Sequence, residues 1–148
     1  MSDCIFCQIA QGKREAAIVL EDAKYMAFLD HRPLFAGHVL LIPKDHIETL
    51  AGLPASDNGN FLAAVQVLCV AVEADMDAQG TFVAINNKVS QSVPHLHVHI
   101  VPRRKGDGLR GFFWPRGRYE SSEQMREIQG RIHQEILHGI GQEVHRKA

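Results

Sequence analysis

Three histidines occupy every second position in the segment VPHLHVHIVPRR, residues 93–104. His95, His97 and His99 alternate with Leu96, Val98 and Ile100. Because side chains two apart on a β-strand share a face, this pattern predicts a strand with imidazoles on one face and core-forming residues on the other. A proline stands near each end of the run, as is common where strands end.

Imidazoles placed this closely support two kinds of chemistry. Imidazole titrates near neutral pH, so one ring can act as a nucleophile through an uncharged nitrogen while a neighbouring ring supports it. Alternatively, rings two residues apart can converge on one metal ion. The pattern by itself leaves both possibilities open.

The elements that would position this segment can be predicted from the hydrophobic pattern. Residues 16–22 and 24–30 predict a β-hairpin, and the almost wholly apolar residues 37–43 predict a central strand. Apolar residues at helical spacing predict a helix over residues 61–78, with Gly80 as its stop. A strand over residues 81–86 and the histidine strand complete an α+β fold of five antiparallel strands, with one sheet face packed by the long helix.

After Pro102 the composition changes. Residues 103–119 contain six Arg or Lys residues with interleaved aromatic side chains, Phe112, Phe113, Trp114 and Tyr119. The sequence SSEQ then predicts a capping box with Ser121 as N-cap and Gln124 reaching back. A C-terminal helix follows, with one apolar face formed by Met125, Ile128, Ile132, Ile136 and Leu137.

The composition bounds the class of protein. At 148 residues, 45% hydrophobic and 22% charged, the chain is predicted to form a single domain over residues 1–148, with its core in residues 3–104. A net charge of −1 argues against disorder and against a polyanionic partner held by bulk charge. Neither a signal-peptide pattern nor a membrane-length apolar run is evident, so a soluble, cytoplasmic protein is expected.

The sequence CIFC places Cys4 and Cys7 three residues apart. Such a pair fits a zinc half-site, a redox motif or two small apolar residues. A redox role is disfavoured because no strand precedes the pair as it does in thioredoxin-like folds. Cys69 lies in the helical stretch and is expected to be a small buried residue.

The heptad HLHVHIV, residues 95–101, resembles the motif of the histidine triad (HIT) family of nucleotide hydrolases and transferases at all seven positions. CIFCQI, FLD, AGHVLLIPKDH and QSVPHLHVHIVPR also stand in the order and spacing of that family, over about residues 3–104. The segment RRKGDGLRGFFWPR resembles a bacterial branch. The resemblance implies a HIT-like fold, a homodimer and a purine nucleotide as ligand.

The resemblance also implies residue roles. His97 would attack the α-phosphorus of an adenosine 5′-monophosphate derivative, with a phosphoramidate as first choice, and form a covalent nucleotidyl-histidine intermediate. The other implied site residues are His99 on the phosphate oxygens, Ser92 at the leaving group or phosphate, Gln91 on the phosphate side, His38 behind the triad, Asp30 at the ribose, Phe28 and Leu29 near the base, and Asn86 lining the nucleotide site.

In family members with this cysteine pair, the remaining metal ligands are the histidine of PKDH and the first triad histidine. The resemblance therefore implies a structural Cys2His2 zinc site of Cys4, Cys7, His46 and His95, closed to water. With an anionic ligand implied, the basic, aromatic segment is expected to cover that ligand or form a dimer contact, and single-stranded nucleic acid is disfavoured.

The loop before the triad departs from the family pattern. Ser90 stands where a glycine usually precedes the glutamine, and the loop is about two residues shorter than in the eukaryotic branches. These differences leave the leaving group open. The alternatives are a dinucleoside polyphosphate hydrolase, a nucleotide-binding regulatory protein with little turnover, and a metalloprotein that uses all three triad histidines on one ion.

Overall fold

The computed structural model describes residues 4–109 and 117–146. One antiparallel sheet contains the strands in the order β1-β2-β3-β5-β4. Their bounds are β1 Ile18–Glu21, β2 Tyr25–Leu29, β3 Val39–Pro43, β4 Gly80–Ala84 and β5 Val98–Arg103. The helices are α1 Ile5–Ala10, α2 Asn58–Asp75 and α3 Ser122–Arg146, with short 3₁₀ turns at Leu50–Gly52 and Ala55–Asp57. The predicted five-stranded antiparallel fold is confirmed.

One face of the sheet packs against α2. Phe61, Leu68 and Val72 of α2 enter a core with buried residues of the central strands. Leu96, Val98 and Ile100 lie in this core, each at most 1% exposed. The apolar half of the alternating pattern therefore faces the core as predicted.

The end of α2 differs from the prediction. The helix stops at Asp75, and Gly80 lies in β4. Asp77 adopts a left-handed backbone conformation with φ 47°, and the Ala78 N–H donates to the Glu73 carbonyl at 2.9 Å. This is a Schellman ending, in which a left-handed residue and a six-to-one hydrogen bond close the last turn. Asp77 therefore supplies the stop that the sequence had assigned to glycine.

The opposite face of the sheet is also covered, by an element that the sequence analysis did not include. The short helix α1, which was not predicted, places Phe6 and Ile9 over that face. They join Met26 and Phe28 of β2 and Leu40 and Ile42 of β3 in a second apolar cluster. Phe6 meets Phe28 edge-on with ring centroids 5.5 Å apart.

The histidine segment joins the sheet at a later residue than predicted. Strand β5 begins at Val98, so His99 lies on the strand while His95 and His97 precede it. The Leu96 N–H donates to the Ile47 carbonyl rather than to a neighbouring strand. Pro102 does not end β5; it lies within the strand, in register with Thr81 of β4.

The chain divides at Gly108 into two compact units. In the second, the Gln124 N–H donates to Ser121 Oγ at 3.1 Å, and Gln124 Oε1 accepts from the Glu120 N–H at 2.8 Å. The predicted capping box is therefore present, with the return bond made one residue earlier than Ser121. Phe112, Phe113 and Trp114, which the sequence analysis predicts to cover a ligand or form a dimer contact, lie outside the described residues.

By length and mean hydropathy of 1.2, the helical stretch Ala55–Asp75 is the one candidate membrane span within residues 4–109 and 117–146. Its buried face contributes to the core of the sheet unit. A core helix passes the same test of length and composition.

Candidate active site and metal centre

Four residues with metal-binding side chains lie together beside the sheet. The ligand atoms of Cys4, Cys7, His46 and His95 all lie within 4.8 Å of one another. His95 Nδ1 is 3.4 Å from Cys4 Sγ and 3.5 Å from Cys7 Sγ, and His46 Nδ1 is 3.2 Å from Cys7 Sγ. Cys4 is the N-cap residue of α1 and Cys7 lies within it, so this cluster joins the N-terminal helix to the histidine segment.

The tautomer of His95 suits a metal ligand. Its Nε2 lies 2.8 Å from the Pro43 carbonyl oxygen, which can only accept, so Nε2 carries the proton and Nδ1 presents a lone pair to the cysteines. Burial lowers the pKa of His95, which keeps the ring neutral. A ring nitrogen bonded to a backbone carbonyl is the usual support of a metal-ligating histidine.

The spacing of the cluster fits zinc. Tetrahedral Zn–S bonds of about 2.3 Å and Zn–N bonds of about 2.0 Å place sulfur and nitrogen ligands roughly 3.5 Å apart. The S···N distances of 3.2–3.5 Å match that spacing. Burial, reinforced by Cys4, raises the pKa of the Cys7 thiol, so a metal must displace its proton. Cys69 packs against the core between α2 and the sheet and is not in the metal-binding cluster.

His97 is held in one orientation by the peptide of His95. Its Nδ1 lies 2.7 Å from the His95 carbonyl oxygen, so Nδ1 carries the proton and Nε2 keeps a free lone pair. The ring is only 4% exposed and meets Phe6 edge-on at 5.2 Å. This arrangement provides an uncharged imidazole nitrogen, the form needed for nucleophilic attack.

A second chain of hydrogen bonds sets the tautomer of His99. The Leu34 N–H donates to His38 Nδ1 at 3.2 Å, so His38 carries its proton on Nε2. Asp30 Oδ2 is 3.7 Å from the same Nδ1, beyond hydrogen-bond distance, and the backbone donor decides the assignment. His38 Nε2 then donates to His99 Nδ1 at 3.0 Å. His99 therefore carries its own proton on Nε2, where it can be donated to a ligand.

Burial also controls the charge of these two rings. It is the main cause that lowers the pKa of His99 to about 4 from its ordinary 6.5, and His97 and His38 add to the shift. Burial likewise lowers the pKa of His38, opposed by the Asp30 carboxylate. His99 is thus a neutral hydrogen-bond donor at pH 7.

The three triad rings do not converge on a single point. The His95 ring faces the cysteines, the His97 Nδ1 is occupied by a carbonyl, and the His99 Nδ1 is occupied by His38. This geometry argues against the alternative in which all three histidines hold one ion.

A cleft of about 410 Å³ opens beside His97. Among the predicted site residues, its lining includes Phe28, Leu29, Asp30, Ser92, His97 and His99. Asp30 Oδ1 accepts from the Arg32 N–H at 2.9 Å, which fixes the carboxylate at the end of β2. The cleft thus brings together the imidazole of His97, the neutral donor of His99, a hydroxyl and a carboxylate.

Three predicted residues lie outside the lining of this cleft. His38 stands behind His99, as the resemblance implied. The Gln91 amide donates to the Glu48 carbonyl at 2.6 Å and accepts from the Lys88 N–H at 2.7 Å, so its side chain braces the loop. Asn86 is half-buried just after β4, and its neighbour Asn87 accepts from the Leu50 N–H.

The loop before the triad keeps an unusual backbone. Ser90 has φ 59° and Lys88 has φ 68°, both in the left-handed region. Such a conformation costs a residue other than glycine roughly 1–2 kcal/mol. Ser90 therefore adopts a glycine-like conformation without being glycine, and the Gln91 contacts help hold it there.

Several residues of the cleft were not predicted from the sequence. Ile5, Phe6 and Ile9 of α1 form an apolar wall, and Arg14, Glu15 and His31 add charged or titratable side chains to the lining. The spacing of Ile5 and Ile9 at i and i+4 was an available signal for the wall. Arg14 and Glu15 carried no signal beyond that of an ordinary polar loop.

Comparison with known proteins places this architecture. The family model of the HIT domain matches residues 11–106. An uncharacterised HIT-like protein of Mycobacterium tuberculosis is 36% identical over 136 residues, covering 90% of this chain and 92% of the relative. An adenosine 5′-monophosphoramidase of Candida albicans is 32% identical over 120 residues, covering 77% and 79%. An adenylylsulfatase of Arabidopsis thaliana is 33% identical over 110 residues, covering 73% and 56%.

Solved structures agree with the sequence comparisons. A HIT family protein of Bacillus subtilis matches with a TM-score of 0.78 at 34% identity, covering 89% of this chain and 96% of that chain. A zinc-bound histidine triad family protein of Mycobacterium smegmatis matches with a TM-score of 0.69 at 34% identity, covering 90% and 97%. The fold is that of a HIT-domain protein. The chain belongs to the HIT family, as the resemblance had suggested.

The metal cluster predicts the effect of removing one ligand. Cys4→Ser should lose bound zinc, measured by atomic emission, and should lower Tm, because the tie between α1 and the histidine segment is weakened. Cys69→Ser, which changes the cysteine outside the cluster, should keep its zinc. Equal zinc content in the two variants would contradict the site.

The lowered pKa of His99 predicts a pH dependence of stability. The unfolded chain protonates His99 near pH 6.5, whereas the folded chain does so near pH 4. The free energy of unfolding should therefore fall as pH is lowered through this window, by roughly 3 kcal/mol in total, and not depend on His99 above it.

Urea unfolding of the wild type and of His99→Gln at pH 4.5, 5.5 and 6.5 measures this contribution as the difference in slope. The comparison cancels metal loss and other titrations common to both proteins. Parallel slopes would show that burial does not disfavour the charged form of His99.

Proposed function

We propose that this chain is a nucleotide hydrolase that acts at the α-phosphate of adenosine 5′-monophosphate derivatives, with phosphoramidates preferred. The observation that carries the proposal is the tautomer of His97. Its Nδ1–H is fixed on the His95 carbonyl at 2.7 Å, which leaves an uncharged Nε2 in a cleft of nucleotide size.

The chemistry proceeds in two displacements. His97 Nε2 forms a bond to the α-phosphorus as the phosphorus–nitrogen bond of the substrate breaks, and the leaving nitrogen takes the bonding pair and a proton. Water then attacks phosphorus, the bond to Nε2 breaks, and the nucleoside monophosphate is released. Splitting one difficult displacement into two easier ones is the general advantage of a covalent intermediate.

The surrounding groups have roles that match their positions. His99 donates its Nε2–H to the phosphate oxygens, and fixed donors of this kind stabilise developing charge by several kcal/mol. Ser92 serves the leaving group, and Asp30 accepts hydrogen bonds from the ribose hydroxyls. Phe28 and Leu29 lie near the base. Gln91 supports the phosphate side through the loop that it braces, and Asn86 is assigned to the nucleotide site by its place in the family motif.

The relatives with named activities favour this substrate class. A monophosphoramidase and an adenylylsulfatase, both named for adenylate derivatives, are each about one-third identical to the chain. Phosphoramidate cleavage is therefore the first choice.

Zinc is proposed as a structural ion held by Cys4, Cys7, His46 and His95. When bound, it would supply a fixed junction between α1 and the histidine segment. The reaction at phosphorus is carried by His97 and its neighbours, which are outside the metal's ligand set.

A homodimer is proposed from two surfaces of the sheet unit. The outer face of α2 exposes Leu62, Val67 and Val70, which are 58–70% exposed. The strand β4 forms one edge of the sheet, and its Val83 is 41% exposed. A second copy related by a two-fold axis would cover the apolar face and pair the open edge. A single domain over residues 1–148 and a cytoplasmic location complete the proposal.

The nucleophile assignment predicts the behaviour of His97→Ala. This variant should hydrolyse adenosine phosphoramidate at least about a thousandfold more slowly than wild type, because no other group replaces the attacking nitrogen. His133→Ala, on α3, is the matched control and should retain full turnover. Rapid quenching should trap a nucleotidyl adduct on His97 in the wild type, and near-normal turnover of His97→Ala would reject the proposal.

The proposed dimer predicts the effect of a charge on the outer face of α2. Val70→Glu should sediment as a monomer, because the carboxylate would be buried between copies. Val19→Glu, half exposed on edge strand β1, should sediment like the wild type. A wild-type protein that sediments as a monomer at micromolar concentration would contradict the interface.

A further inference from the structure

Two side chains of opposite charge stand in the cleft without a role in the chemistry at phosphorus. Arg14 and Glu15 both line the cleft, and both are exposed. Among the described contacts, neither forms a hydrogen bond or an ion pair with the protein. A free cation and a free anion on adjacent residues are therefore available to a ligand.

The register of the sheet locates these residues relative to the reactive histidines. His99 on β5 pairs with Leu40, Leu40 pairs with Phe28, and Phe28 pairs with Ile18 on β1. Neighbouring strands lie about 4.7–4.9 Å apart, so this row spans roughly 14 Å. Glu15 precedes β1 by two intervening residues and Arg14 by three, on the side of the row away from His99. That separation is comparable with the length of a nucleoside monophosphate from phosphate to base.

The backbone fixes the segment that carries the two charges. On one side, the Lys13 N–H donates to the Gln8 carbonyl at 2.8 Å. On the other, the Ala17 carbonyl accepts from the Leu29 N–H at 2.9 Å. Residues 14–16 are thus anchored to α1 and to β2, so the pair is held at the cleft.

The lining between the two ends is suited to a flat ring. Ile5 and Ile9 of α1 and Phe28 of β2 supply apolar surfaces, and Asp30 follows at the end of β2. Apolar walls hold any nucleobase by its faces and do not distinguish one base from another. Discrimination must therefore come from polar groups. With Asp30 assigned to the ribose and Ser92 to the leaving group, the remaining polar side chains of the lining outside the triad are Arg14, Glu15 and His31, and only Arg14 and Glu15 form an adjacent pair of opposite charge.

The two side chains match the edge of guanine better than that of adenine. A guanidinium binds the O6 and N7 acceptors of guanine in a two-pronged contact. A carboxylate only accepts, and guanine offers two adjacent donors, N1–H and the 2-amino group. Adenine lacks both the O6 acceptor and the adjacent pair of donors.

We propose that Arg14 and Glu15 are specificity-determining residues that read the outer edge of the purine and favour guanine over adenine. The inference rests on the hydrolase chemistry of the proposed function and changes its preferred base from adenine to guanine. Guanosine phosphoramidate should exceed adenosine phosphoramidate about tenfold in kcat/KM, near the low end of the discrimination of one bidentate contact, since both side chains are exposed. Inosine phosphoramidate, which lacks the 2-amino group, should fall between them.

The test compares the three phosphoramidates with wild-type protein and three variants. Arg14→Leu should lower kcat/KM for guanosine and inosine relative to adenosine. Glu15→Gln should lower guanosine most, because its amide cannot accept from both donors. Lys13→Ala, which removes a neighbouring charge outside the cleft lining, should leave all ratios unchanged. An adenosine preference in the wild type, or ratios unchanged in both cleft variants, would overturn the inference.

Binding of GMP, IMP and AMP, measured by calorimetry on the same proteins, separates this inference from the proposed function. A guanine preference in Kd that Arg14→Leu and Glu15→Gln remove would support base reading even without turnover of any phosphoramidate. Such a result would reject the hydrolase proposal alone. Equal Kd values for the three monophosphates would reject base reading even if all three phosphoramidates were hydrolysed.

Discussion

The hydrogen bond from His97 Nδ1 to the carbonyl of His95 is the interaction on which the site depends. It fixes the tautomer of a ring that is almost completely buried, and at 2.7 Å it leaves little rotational freedom. Without that acceptor, a buried N–H would lose its partner at a cost of about 1–3 kcal/mol, and the ring could turn its lone pair away from the cleft. The orientation of the His97 ring is thus set by the backbone two residues earlier in the chain.

Both the ring and the backbone carbonyl of His95 are held by hydrogen bonds or close contacts. Its ring donates to the Pro43 carbonyl and presents its other nitrogen to the cysteines, while its carbonyl holds His97. One residue therefore positions both the candidate metal cluster and the ring of His97. His95 is completely buried among β3, α1 and the histidine segment, which explains how its ring and its carbonyl can both be held in fixed positions.

The sequence predicted which way side chains face better than where elements begin and end. Alternation placed Leu96, Val98 and Ile100 in the core, because a period of two survives wherever the chain is extended. It could not locate the start of β5, since the Leu96 N–H finds its acceptor at Ile47, a distant residue. The helix α1 was missed because six residues are too few for a helical period to stand out.

The residues of the candidate site also differ in whether the sequence could identify them. Histidines, cysteines and Asp30 could be assigned because their types and order form a family motif. Arg14 and Glu15 could not, since a charged pair in a loop has the same pattern whether it faces solvent or a cleft. Their position became evident only from the pairing of β1 with β2, which sets the loop beside the apolar wall.

The short helix α1 links two equilibria. Ile5, Phe6 and Ile9 form a wall of the cleft, while Cys4 at the start of this helix and Cys7 within it belong to the candidate metal cluster. Packing of α1 against the sheet would thus favour binding of both a metal ion and a ligand in the cleft. Thermodynamic reciprocity then requires that each raise the affinity for the other by an equal factor. A ligand bound in the cleft would therefore make the ion harder for a chelator to remove. Conversely, removing the ion would leave the sheet folded but would weaken the binding of small molecules in the cleft.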